Sequence, residues 1–464
     1  MANSPVFPDA IVIPIAPDDA LNAINAEALA ELNGPNGLSR QFHDCCLAAC
    51  HPGNGSHMAD IHEQNPDFSL EVSRTQEGVQ IAVHYPPMSS VETVRGKSHI
   101  LHALQNHIRS IARDLLLHGK LFRSQDSAEI TNGVRTLIEH AGLLRATQAH
   151  GIPLHRITYW GGQRITDAEY DHSKETGYWS ARKFQEITTG GGQGTMKGPH
   201  KGAIEGYSAQ DIVGARRPGF TQPGIIANEP PHKHIDPLVT FPDMEKRLEA
   251  FVRSSVGIMI GPGGVGTLEE ILYMVTLLLH PENSEQRIAI VLTGPEERYF
   301  RTILNCVEQL LGSDVRKRLL ERMSVTIGNP KAACHALTEQ IEKPGGVVDY
   351  RRAQNMSLIW NDTLVIPPDL QKPTQFSHEA AAQLELHREQ EPWQLSAQVR
   401  RAIDTVIWAH VTQEGFERVR DNPLMLRGDT RILNAIRDAL RYLEEEGRVA
   451  YRNGPVKAVE FSPA

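Results

Sequence analysis

Cysteine is scarce in this chain, with five in 464 residues. The count is odd, and the opening stretch "MANSPVFPDAIVIPIAPDDA" lacks the basic region and cleavage site of a secretory leader. Reduced thiols and a cytoplasmic location are therefore expected, not a disulfide framework. Positive charge is also in deficit. Against 56 Asp and Glu there are 47 Lys and Arg, a net charge of −9, which argues against wide nucleic-acid binding. No apolar run reaches membrane-spanning length; the longest, around Ile271–Leu279, is far too short. Internal repeats and low-complexity tracts are missing too. What remains is a globular composition, 40% hydrophobic and 22% charged, in a chain long enough for two or three domains.

Three of the cysteines crowd into "HDCCLAACHPGNGSH", where His43, Cys45, Cys46, Cys50 and His51 invite a metal reading. A second ligand pair at zinc-like spacing is lacking, and "CCLAAC" is alanine-rich and apolar. A buried helix face, with no metal, is the expectation.

Three parts follow one another. Residues 1–150 read as an α+β domain. "FSLEVSRTQEGVQIAVHYPP" alternates like a hairpin turning near Glu77-Gly78. "KSHILHALQNHIRSIARDLLLHGKLF" places Ile100, Leu104, Ile108, Ile111 and Leu115 on one helical face. Residues 151–345 change to strand, glycine turn, helix, repeated. Strands are expected in "HRITYWGGQRI", "FQEITTGGGQG", "PGIIANEPP", "SVGIMIGPGG" and "QRIAIVLTGP". Such alternation predicts an α/β fold, a doubly wound, Rossmann-like parallel sheet with ligands at the carboxyl ends of its strands. Residues 346–464 read as a mainly helical extension.

The turn "GPGGVG", Gly261 to Gly266, has the form G-x-G-x-x-G between a strand and a helix. A dinucleotide site would need an acidic ribose partner at the end of the next strand, where Thr293-Gly294 stands. A triphosphate loop would need a lysine before Thr267. A cradle for a single phosphate asks for less. Glycines let the backbone approach an anion, and the N–H groups opening the helix point at it. Gly263, Gly264, Gly266 and Thr267 are candidates for that cradle. Glu270, three residues after Thr267, fits either a catalytic carboxylate or the far half of a capping box, and spacing leaves both open.

"PGGVGTLEE" matches the P-G-G-x-G-T-x-x-E signature of the LOG family, proteins once labelled lysine decarboxylases. "MEKR", Met244 to Arg247, is similar to that family's M-H-x-R-K element, with Glu245 and Leu248 replacing its histidine and lysine. "GGGQGTM" resembles its other glycine loop. The flanks "EPPHKHIDPLVTFPDMEKRLEAFVR" and "PPDLQKPTQFSHE" resemble the long bacterial nucleotide 5′-monophosphate nucleosidases, which carry extra domains on both sides of the LOG core. The resemblance implies hydrolysis of the N-glycosidic bond of GMP, IMP, AMP, UMP or CMP, without a cofactor. It implies Glu270 and Arg247 as catalytic residues, and Gly161, Gly162, Gly191, Gly192 and Met196 as pocket lining. It further implies a homo-oligomer, dimer or tetramer, and a guanosine alarmone (ppGpp or pppGpp) as effector, for which Lys343, Arg351 and Arg352 are the basic candidates. The alternatives are a cytokinin riboside 5′-monophosphate phosphoribohydrolase and a nucleotide-binding protein without turnover.

Overall fold

Alternation with a period of two builds the first sheet. In the computed structural model, which describes residues 10–15, 20–51, 58–76, 78–84, 98–449 and 459–463, three strands form it: β1 (Ala10–Pro14), β2 (Ser69–Thr75) and β3 (Gly78–His84). They pair antiparallel in the order β1-β3-β2. Along β3, Val79, Ile81 and Val83 are buried in turn, as a sheet with one covered face requires. Thr75 pairs with Gly78, closing the expected hairpin, although Glu77 lies outside the described residues. So do residues 1–9, on which the leaderless reading of the amino terminus falls, and the Ile100 side chain.

Helices α1 (Gly37–Cys50), α2 (Met58–Gln64) and α3 (Ser98–Leu121) pack with this sheet into one core, and α4 (Ser127–His140) follows. The cysteine-rich stretch is indeed a buried face of α1: Phe42, Cys45, Cys46 and Leu47 all point inward. All five cysteines are free thiols, and burial pushes Cys50 up to about 12.

Strand and helix then alternate. The elements are β4 (His155–Trp160), α5 (Asp167–Ala181), β5 (Gln185–Thr189), α6 (Lys197–Ser208), β6 (Gly219–Thr221) and β7 (Leu238–Thr240). After them come α7 (Met244–Ser254), β8 (Gly257–Ile260), α8 (Val265–Leu279), β9 (Ala289–Gly294), α9 (Arg298–Leu311), β10 (Ser324–Ile327) and α10 (Pro330–Glu342). The seven strands form the expected parallel sheet, in the order β10-β9-β8-β4-β5-β6-β7.

One expected strand is wrong. "PGIIANEPP" is a series of turns, and the strands fall on either side of it, at β6 and β7. Pro223, Pro230 and Pro231 have no N–H to offer a ladder, and Ile226 joins the amino-terminal core instead. The edge strand β10 escaped notice because its side chains are only partly buried and carry little apolar signal. Beyond α10, helices α11 (Pro392–Val411) and α12 (Thr430–Glu445) dominate. Leu424–Gly428 and Val459–Pro463 form a small parallel pair that the sequence did not suggest. Among the described residues no helix is long and apolar enough to cross a membrane.

The chain divides into two compact units. The first comprises Met1–Arg145, Thr189–Gln193 and Arg216–Ala250, the second Ala146–Thr188, Gly194–Ala215 and Phe251–Ala464. In the first, α3 braces the outermost strand. Asp114 accepts the Thr240 N–H at 2.8 Å, and His118 Nε2 donates to the Thr240 carbonyl at 2.8 Å.

In the second unit α5 and α6 meet backbone to backbone. Glycines 198, 202 and 206 recur every four residues on α6, which sets them on one face. A β-carbon at Gly202 would lie 1.8 Å from the Lys174 carbonyl oxygen, and one at Gly177 would lie 2.4 Å from Pro199 Cα. Gly202→Ala must therefore push the helices apart, and overpacking of this kind costs about 1–3 kcal/mol. The melting temperature should fall with helix content kept. An unchanged melting temperature would show that the two helices separate freely.

Candidate active site

The strand order reverses between β4 and β8, the place where an open α/β sheet leaves a crevice outside its carboxyl ends. Both strands end in glycine turns, and both turns lie in the second unit. Ile260 pairs with Trp160, so Gly261 and Gly161 leave the sheet side by side, with the Gly261 N–H on the Trp160 carbonyl at 2.8 Å. Gly162 is then held from two directions. Its N–H donates to the Pro262 carbonyl at 3.1 Å, and its own carbonyl accepts the Thr195 N–H at 3.0 Å and the Thr195 hydroxyl at 2.8 Å. A β-carbon at Gly162 would lie 2.5 Å from Gly263 Cα, so this approach is open to glycine alone. The structure thus brings Gly161 and Gly162 together with Gly263, Gly264 and the turn that ends at Met196.

Helix α8 begins at Val265, with Gly264 as its N-cap and, among the described residues, no side-chain cap hydrogen bond at its start. Those donors have no partner within the helix and carry its positive dipole end, which suits an anion. Gly266 is exposed there, whereas Thr267 is buried and turns its hydroxyl toward Gly263. The capping-box alternative fails, because Thr267 is the third residue inside the helix and not its cap. Glu270 stands in the second turn, half-buried.

Its neighbour Glu269 faces another way. It is buried beside α11 and hydrogen-bonded to Asp404. Asp404 also accepts the Thr374 hydroxyl at 2.7 Å and lies 3.4 Å from Arg400 Nη1. Burial first, then the Asp404 carboxylate, hold Glu269 well above its ordinary 4.5, against a smaller opposing pull from Arg400. Two adjacent glutamates therefore sit in different surroundings, one buried and one half-buried.

Sequence reasoning missed a further pair. Arg448, past the end of α12, grips Glu169 of α5 with both arms, Nη2–Oε1 at 2.6 Å and Nη1–Oε2 at 3.2 Å. Its guanidinium lies 5.0 Å from the Tyr299 ring centre, and its carbonyl would meet a β-carbon at Gly264 at 2.7 Å. The partners are 279 positions apart, so no spacing could reveal them.

The remaining candidates lie in the first unit. Gly191 has a φ of 85°, takes the Thr189 hydroxyl oxygen on its N–H at 3.1 Å, and accepts the His232 N–H at 3.1 Å. Gly192 beside it is buried. Arg247 is 3% exposed, which rules out the solvated helix face that "DMEKRLEAFVR" suggests. Its Nε donates to the Phe220 carbonyl at 2.8 Å, and Nη2 lies 3.5 Å from Glu229 Oε2. Burial raises Glu229, with Arg247 pulling the other way.

Arg351, proposed from sequence as an effector contact, is instead a fully buried bracket in the second unit. It donates to the carbonyls of Ser255 at 2.8 Å, Ser357 at 3.3 Å and Leu358 at 3.4 Å. Burial brings it down to about 10. Lys343 and Arg352 are exposed.

Comparison with known proteins adds three family models. One described as "Possible lysine decarboxylase" matches residues 196–337. One described as "Pyrimidine/purine nucleotide monophosphate nucleosidase, C-terminal" matches 345–457, and "Pyrimidine/purine nucleotide 5'-monophosphate nucleosidases" matches 13–121. The chain is 31% identical over 443 residues to the pyrimidine/purine nucleotide 5′-monophosphate nucleosidase of Escherichia coli K12, covering 93% of this chain and 94% of the relative. The same figures hold for the protein of that description from strain O157:H7. Among solved structures, the molybdenum cofactor carrier protein of Chlamydomonas reinhardtii aligns with 41% of this chain and 99% of its own, at 19% identity and a TM-score of 0.30.

The setting of Glu269 has a measurable consequence. Its folded pKa lies above its unfolded value, so the folded state holds the proton more tightly. That contribution is complete below the ordinary carboxylate range and is lost as pH rises through the folded value. Glu269→Gln keeps a donor toward Asp404 and removes the titration. Melts between about pH 6 and about pH 9 should show the wild type losing stability toward the alkaline end while the variant stays flatter. Parallel curves would mean that Glu269 is ionised in the fold.

Proposed function

The chain belongs to the pyrimidine/purine nucleotide 5′-monophosphate nucleosidase family, and from that premise we propose a division of labour for its site. The reaction is hydrolytic: water cleaves the N-glycosidic bond of a purine or pyrimidine nucleoside 5′-monophosphate, giving free base and ribose 5-phosphate. In our reading Gly263, Gly264, Gly266 and Thr267 hold the 5′-phosphate at the opening of α8. Glu270 lies about 7 Å further along the helix axis and faces the ribose. The observation that supports this best is an uncapped helix start at the switch point of the sheet, followed in its second turn by a half-buried carboxylate.

The chemistry asks for such a group. Breaking the ribosyl C–N bond develops positive charge on the sugar, which a carboxylate stabilises while orienting water. Glu269 is buried against Asp404, so we assign that task to Glu270. Arg247 is proposed as the second catalytic residue. Being always charged, it serves to bind phosphate or transition-state charge, not to deliver a proton. Gly161, Gly162, Gly191, Gly192 and Met196 are proposed to line the nucleotide pocket. We keep the division into residues 1–150, 151–345 and 346–464, a homo-oligomeric assembly and a cytoplasmic location as further parts of the proposal; free thiols suit a reducing compartment.

Purified protein incubated with GMP, IMP, AMP, UMP and CMP should release base and ribose 5-phosphate. Glu270→Gln should melt close to the wild-type temperature while turnover falls by at least about 100-fold. Turnover retained in that variant would remove Glu270 from the chemistry. Arg247→Lys keeps the charge and loses the planar fork, and should also lower turnover.

For ppGpp or pppGpp as effector, the burial of Arg351 leaves Lys343 and Arg352 as the exposed basic candidates. Calorimetric titration with ppGpp should be saturable and weaker in the double variant Lys343→Ala, Arg352→Ala. Identical binding by the variant would move the site elsewhere, and no heat from the wild type would end the effector reading.

A further inference from the structure

We propose that His43, Asp44 and His62 form a binding site for one divalent transition-metal ion of the zinc type, apart from the nucleotide site. His43 and Asp44 lie in α1 and His62 lies in α2, so the ion joins two helices of the first unit. Their ligand atoms converge. His62 Nε2 is 2.9 Å from Asp44 Oδ1, His43 Nδ1 is 3.6 Å from that same oxygen, and all three lie within 4.8 Å of one another. Nitrogen and oxygen ligands about 2.0–2.1 Å from a tetrahedral zinc are themselves roughly 3.3 Å apart. The separations that bracket that value, 2.9 and 3.6 Å, need only small side-chain adjustments.

The tautomer of His43 points the same way. Its Nε2 lies 3.1 Å from the Phe68 carbonyl. A carbonyl only accepts, so Nε2 carries a hydrogen, and Nδ1 is the ring nitrogen left to face the Asp44 carboxylate. A carbonyl on the outward nitrogen is also the common outer-shell partner of a zinc-bound histidine. The rings of His43 and His62 lie parallel, 5.4 Å apart at 3°, which lets both offer a nitrogen to one carboxylate.

The site is reachable: the His62 and Asp44 side chains are 42% and 30% exposed, which leaves room for water as a fourth ligand. Two imidazoles and one carboxylate select Zn²⁺ over Mg²⁺ or Ca²⁺, which prefer all-oxygen shells. The thiols that made this stretch look metal-binding point elsewhere, since Cys45 and Cys46 are packed into the core.

The test uses the full chain, stripped with a chelator and titrated with Zn²⁺ against a chromophoric competitor. One equivalent should bind, and the melting temperature should rise with it. His62→Ala, at a part-exposed position, should melt like the metal-free wild type, lose the Zn²⁺-dependent rise, and bind more weakly by more than about tenfold, the loss that even an outer-shell change can bring. Asp44→Asn should behave alike, and His62→Gln replaces His62→Ala if the latter unfolds early. Cys50→Ser should keep the ion. No binding by the stripped wild type, equal binding by the His62 variants, or loss of the ion in Cys50→Ser would each overturn the proposal.

Discussion

One backbone contact at the candidate site is the constraint on which the rest depends: Gly162 lying against Gly263 with no side chain between them. Three hydrogen bonds, to Pro262 on one side and to Thr195 on the other, hold that contact in place. Because Gly162 lies two residues beyond the end of β4 and Pro262 two residues beyond the end of β8, the stitch joins the two strands at which the sheet changes winding direction. A larger residue would force the turns apart and swing the start of α8 away from the sheet. The orientation of the first N–H groups of α8, and with it the placement of Glu270, is thus inherited from a packing constraint several residues earlier.

Helix α8 in turn separates two chemically similar groups. Glu269 and Glu270 are adjacent, yet one is sunk beside a second carboxyl and the other is half-buried. The difference comes from α11, which contributes Asp404 and Arg400, a segment with no glycine motif of its own. The carboxy-terminal part therefore sets the protonation of a residue beside the signature glutamate. Arg448 extends the same influence to the glycine turn through Glu169 and Tyr299. A carboxyl group raised by burial costs stability, and the fold tolerates one directly beside the signature glutamate.

Much of this was legible in the chain. Apolar runs ending in glycine marked β8 and β9, because a strand covered on both faces favours an unbroken apolar sequence, whereas β4 and β5 were marked by β-branched and aromatic residues running into paired glycines. The alternation of β3 and the spacing of Ile108, Ile111 and Leu115 were equally plain. Other features were illegible for physical reasons. Strands β6 and β7 are three residues each, too short for any period to show, and the proline-rich link between them carries the isoleucines that mimic a strand. The Thr267 capping box failed because the helix starts earlier than its first good cap residue, at a glycine. The burial of Arg247 and Arg351 had no signal in the chain, because charged residues are mostly exposed. Their burial rests on main-chain carbonyls from Phe220 and from Ser255, partners set by tertiary folding and silent in local pattern.

The bracing of Thr240 reaches beyond the fold it stabilises. A terminal strand ordinarily shows a row of unused amide and carbonyl groups that a stray peptide can copy. In β7 the Thr240 amide and carbonyl are already occupied by Asp114 and His118. A β-strand arriving from another molecule would have to displace a buried carboxylate to dock at Thr240, so the border of the sheet is sealed against runaway polymerisation at that point.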